Sequence, residues 1–132
     1  MFQRFPVHDG YEDPQFSNFY GQTLPLLKRG IPVETVHMEN LEYENTLKDI
    51  RVLIMSYSNM KPLTAESHKY LANWVKNGGI LIYCGKDDDP YQKVMEWWNT
   101  DGNSFQAPSE HLFNLLNISS QTNNEKFNIE KD

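Results

Sequence analysis

Between Ile50 and Gly85 the chain reads apolar run, helix, double glycine, apolar run, an order that few architectures satisfy. Arg51-Val52-Leu53-Ile54-Met55-Ser56 is the short, nearly continuous apolar run of a strand covered by helices on both faces. Thr64 suits an N-cap, and Glu66 falls in the first turn, where the helix dipole favours an acid. His68, Leu71, Trp74 and Val75 then recur at helical spacing, and Lys76-Asn77-Gly78-Gly79 supplies a basic last turn and a glycine stop. Ile80-Leu81-Ile82-Tyr83-Cys84-Gly85 is the returning strand. A crossover of this kind is right-handed and sets helices on the sheet faces. The expectation is therefore an α/β, three-layer, doubly wound and mostly parallel sheet of about four to five strands.

Neighbouring segments extend the alternation. Phe16, Phe19, Tyr20, Leu24, Leu26 and Leu27 distribute like a helix over 16–29, ended by Gly30, with Pro25 kinking or dividing it. Ile31 to Met38 alternates as a strand with Pro32 at its start, where proline is tolerated. Leu41 to Asp49 reads as a polar connector with a helical turn, and Met1 to Phe5 as the end of a first strand. Asp89-Pro90 opens a helix over 91–99 whose Tyr91, Val94, Met95 and Trp98 share a face. Pro108-Ser109-Glu110 starts a last one over 111–116. A first strand normally lies mid-sheet, so residues 1–118 read as one domain, cut at its N-terminus or beginning with a surface arm. Residues 119–132 are too polar to pack and read as a disordered tail.

Composition narrows the partners. A net charge of −6 offers no basic stripe for phosphates, which argues against nucleic acid and anionic membranes. No apolar run approaches the roughly 20 residues of a bilayer span, one cysteine excludes an internal disulfide, and Met1 to Pro6 has no signal-peptide apolar region. These features predict a cytoplasmic protein or a piece of a larger one. No cofactor or metal motif is present; His8 and His37 lie far from each other and from the cysteine.

Lys48-Asp49-Ile50-Arg51-Val52-Leu53-Ile54, then Pro62-Leu63-Thr64, then Leu71-Ala72-Asn73-Trp74-Val75-Lys76-Asn77-Gly78-Gly79-Ile80-Leu81-Ile82 resembles the flavodoxin-like, class I glutamine-amidotransferase-like domain. Within that group it is most similar to the trimerisation domain that follows the catalytic barrel in family 42 β-galactosidases and related glycoside hydrolases. The resemblance runs over about Leu24 to Gly85, its Leu26 to Val36 stretch included. It implies an accessory or oligomerisation domain of a carbohydrate-active enzyme, associating with itself or with a catalytic glycosidase domain. In family 42 enzymes two barrel glutamates cut the glycosidic bond, and no barrel fits in 132 residues.

The resemblance also bears on Cys84. In amidotransferases the strand after the crossover ends in a cysteine nucleophile, activated by a histidine and oriented by a glutamate. Cys84 ends that strand, but Ile82 stands where the usual glycine would be, and His111 adjoins Glu110 instead of being separated from it. Neighbours on a helix point about 100° apart, so that pair does not present base and orienter on one face. Cys84 thus reads as a small buried apolar residue, with a small amidotransferase-like enzyme as the alternative.

A third reading is a sugar-binding module. In open parallel sheets ligands bind beyond the carboxyl ends of the strands, where Asp9, Ser58, Asn59, Lys86, Asp87 and Asp88 lie. Asp87-Asp88-Asp89 could take sugar hydroxyls or a divalent cation, or form a solvated loop in which Asp89 caps the next helix. Of Trp97 and Trp98, one can face the core; the other stacks on a sugar or is covered by the 101–108 loop.

Overall fold

The computed structural model describes residues 14–57, 61–85 and 94–118, with side chains from Tyr20 onward. Their elements in chain order are α1 (Pro14–Leu27), a 3₁₀ helix (Met38–Glu42), β1 (Val52–Met55), α2 (Glu66–Lys76), β2 (Ile80–Tyr83) and α3 (Pro108–Leu115). The expected β-α-β unit is present. β1 and β2 pair in parallel, in the register Val52↔Ile80, Leu53↔Leu81, Ile54↔Ile82 and Met55↔Tyr83. The Ile80 N–H donates to the Arg51 carbonyl at 3.0 Å, and the Cys84 N–H to that of Met55 at 2.8 Å.

Alternation along each strand gives the pair two unlike faces. Leu53, Met55 and Leu81 pack against the core of Leu41, Leu71, Ala72 and Leu112, which the 3₁₀ helix, α2 and α3 supply. Val52, Ile80 and Ile82 remain 47, 56 and 45 % exposed on the other.

The three α-helices among the described residues close in one way. The Gly79 N–H reaches the Trp74 carbonyl and the Gly78 N–H that of Val75, with Gly78 at φ +102°. This is the Schellman pattern, in which a left-handed residue lets the chain turn back on its last carbonyls. Ile31 to Leu26 with Gly30 at φ +75°, and Ile118 to Phe113 with Asn117 at φ +57°, repeat it on α1 and α3. At the end of α2 the Trp74 indole lies where a Cβ on Gly79 would stand. Gly79→Ala is therefore expected to destabilise by about 1–3 kcal/mol, by displacing that ring, a loss that urea denaturation would measure.

Several sequence expectations are corrected. Residues 31–37 form no strand and pair with none among the described residues, and Met38 begins the 3₁₀ helix instead. Alternation alone does not make a strand where no edge receives its backbone groups. The described sheet has two strands, not four to five. α1 runs unbroken through Pro25, which sits in its last turn. α2 runs from Glu66, and Ala65 before it already has helical dihedrals and no side-chain cap, so its start lies within a residue of that expected from Thr64, which is exposed.

Residues 94–99 form turns, not the second half of a helix. The Asn99 side chain accepts from the Glu96 N–H (2.8 Å) and donates to the Val94 carbonyl (2.7 Å), and Thr100 Oγ1 donates to the Glu96 carbonyl (2.8 Å). Asn and Thr compete here for the groups a helix would use. Residues 91–93 of that expected helix, the 1–5 strand and the 119–132 tail lie outside the described residues. No described helix is long and apolar enough to cross a membrane.

Candidate functional site

Beyond the carboxyl end of β1, where the chain leaves the sheet, lies a set of aromatic and imidazole rings. Tyr57 follows the strand by two residues and is 1 % exposed. His68 is fully buried in the first turn of α2, one helical turn before Leu71 and Ala72, so its ring enters the core side of the helix. His111 stands in the first turn of α3, which opens on Pro108 and is steadied by Glu110, whose carboxylate accepts the Gln106 N–H at 2.8 Å.

These three side chains form a line of hydrogen bonds. The Tyr57 hydroxyl lies 2.5 Å from His68 Nε2, and His68 Nδ1 lies 2.9 Å from His111 Nδ1. The two imidazoles stack with centroids 5.2 Å apart. Trp97 meets both edge-on, at 5.4 Å from His68 and 5.1 Å from His111, and Phe105 meets His111 at 5.3 Å. Two anchors hold the frame: the Trp97 indole N–H donates to the Pro62 carbonyl at 2.8 Å, and the Lys61 ammonium donates to the Tyr57 carbonyl.

Electrostatics keep the line neutral. Burial, and then the neighbouring His111, hold His68 down to about 3. Burial and then the Lys69 ammonium lower His111. Burial, and after it Tyr83, push the Tyr57 hydroxyl above its ordinary value. A shared Nδ1 to Nδ1 contact has room for one hydrogen, so two imidazolium ions cannot face each other there. Such a line can orient an imidazole and present its outer nitrogen; among the described residues no group of three or more His, Cys, Asp and Glu is placed to hold a metal.

The sequence-derived candidates fall elsewhere. Cys84 is exposed, not the buried apolar residue expected, because β2 ends at Tyr83 and the chain leaves the core there. The histidine weighed for it, His111, is hydrogen-bonded to His68 and flanked by Trp97 and Phe105. Glu110 and His111 indeed part company, one to the Gln106 N–H and the other to His68. Trp98 is fully buried, which leaves it no face for a sugar. Trp97 is partly buried, its ring meeting both histidines edge-on. Asp9, Ser58, Asn59, Lys86, Asp87, Asp88 and Asp89 lie outside the described residues.

Sequence reasoning missed the Tyr57–His68 bond and the pairing of the histidines. Its one available signal was His68 itself, a polar residue on the apolar stripe of a helix, which must find a buried partner. Compared with models of protein families, with curated proteins and with solved structures, the chain matches none.

Proposed function

We propose that this chain is a non-catalytic accessory domain of a carbohydrate-active enzyme, flavodoxin-like in its wider architecture, that works by assembly with a second copy of itself. The observation that carries the reading is the half-exposed apolar face of Val52, Ile80 and Ile82 on a parallel strand pair. Parallel sheets belong to folds in which helices or neighbours cover both faces, so this side calls for a cover. The hydrogen bonding of His68 to Tyr57 and to His111 favours assembly over a cysteine mechanism. The resemblance of residues 24–85 to the trimerisation domain of family 42 β-galactosidases supports the enzyme class. On this reading a doubly wound sheet is completed around β1 and β2, and turnover belongs to a separate catalytic glycosidase domain.

Sedimentation equilibrium tests it. The expected mass is a multiple of 15.5 kDa, returning to the monomer value in Val52→Lys/Ile80→Lys while circular dichroism is unchanged. A wild-type monomer at high concentration would refute assembly, and hydrolysis of nitrophenyl galactosides by the isolated chain would refute the non-catalytic role.

A further inference from the structure

Hydrogen-bond accounting at Tyr57 sets the direction of the whole line. Its hydroxyl is buried, and its hydrogen-bond partner among the described residues is His68 Nε2. A buried hydroxyl gives its hydrogen to the acceptor it has, because a buried donor left unpaired is costly. His68 Nε2 is then the lone-pair nitrogen, and a neutral imidazole carries its one hydrogen on the other, Nδ1. That N–H donates across 2.9 Å to His111 Nδ1, which must be an acceptor in turn. His111 is thereby left with its hydrogen on Nε2, on the far side of a ring that is partly exposed.

We propose that the His111 Nε2–H is a ligand-binding donor of fixed tautomer, which takes an oxygen of a neutral, polyhydroxylated molecule such as a sugar. Neutrality follows from the line itself. A proton added to His111 would have to reverse both bonds, and the Tyr57 hydrogen would lose its acceptor. An anion therefore gains no ion pair there, whereas a hydroxyl or ring oxygen gains a donor that is already aimed. Beside it, partly exposed Trp97 and Phe105 offer ring carbon to the C–H face of a pyranose. The position, past the end of β1 and at the first turns of α2 and α3, is where open parallel sheets take their ligands. The donor stands on the hydrogen bonds; the choice of sugar rests on the function proposed above.

Nitrogen-15 histidine NMR on the full chain at pH 7 tests this, with lactose and galactose as probes. The expected spectrum shows His68 protonated on Nδ1 and His111 on Nε2, and saturable movement of the His111 signals as sugar is added. In Tyr57→Phe, His68 is free to exchange tautomers, and sugar affinity should fall about threefold to tenfold, the loss of one well-made hydrogen bond. His111 protonated on Nδ1 would overturn the proposal, as would His111 signals unmoved by either sugar in folded wild-type protein. The two proposals fail separately: a monomer whose His111 responds to sugar sinks assembly alone, and an assembled protein whose His111 ignores sugar sinks only the subsite.

Discussion

Acidification from pH 7 to 4.5 should remove a large part of this protein's stability, and His68 should account for most of the loss. An unfolded histidine titrates near 6.5, whereas the folded chain holds His68 down to about 3 and His111 below its ordinary value. Between those limits the unfolded state takes up protons that the folded state refuses. Stability is thus fully present above about pH 6.5 and falls as the pH drops toward 3. Each refused proton contributes a slope of about 1.4 kcal/mol per pH unit, so His68 alone is worth roughly 2–3 kcal/mol by pH 4.5, against a typical total of about 5–15. The described groups around the pair work in the same direction, since the Tyr57 hydroxyl is held above its ordinary value and the Lys69 ammonium opposes a cation on His111. Urea unfolding followed by tryptophan fluorescence at pH 7, 5.5 and 4.5 measures the slope, and His68→Gln should flatten it by about one proton. Equal slopes in wild type and variant would show that the histidine line is not the acid-sensitive element.

Truncation of Trp98 should be the most damaging single core change. It heads the largest fully buried side chains, and it lies in a turn segment whose two tryptophan rings meet edge-on at 5.6 Å. Removing an indole from such a site leaves a cavity that turns cannot collapse into, and large-to-small changes of this kind cost about 3–5 kcal/mol. Trp98→Ala should lower the urea midpoint by that amount, with Trp98→Phe losing clearly less. A cost below about 1 kcal/mol would mean that the 94–106 segment contributes little to the folded core.

The central unit was legible because three independent signals agree there. The apolar runs, the helical stripe of His68, Leu71 and Val75, and the Gly78-Gly79 stop all specify one strand–helix–strand order, and the parallel register follows it. Gly30 marked the end of α1 in the same way, whereas Asn117 went unread because asparagine adopts a left-handed conformation less obligatorily than glycine. The strand expected over 31–38 and the helix over 91–99 failed for opposite reasons. The first has the right alternation and no partner edge; the second has the right face, but Asn99 and Thr100 take the backbone groups it needs.

The site was hidden because its members lie 11 and 43 residues apart in sequence. Periodicity registers the face a residue occupies, not the side chain it meets across an interface. In sequence His111 stands beside Glu110 and suggests only a base for Cys84, whereas the fold turns it toward His68 on α2.

The turn after Trp98 carries more than a change of direction. Asp101 and Gly102 both sit at positive φ while the Asn103 N–H reaches the Thr100 carbonyl at 2.9 Å, the pattern of a type I′ turn. From it the Asn103 side chain holds the Trp97 carbonyl at 2.7 Å, and the Phe105 N–H holds that of Trp98 at 3.0 Å. The two indoles are thus clipped in place by a four-residue bend rather than by a rigid rod. Lengthening that bend by a single amino acid would unfasten both clips at once, which makes it a poor place to graft a tag or a reporter peptide even though its surface is open to solvent.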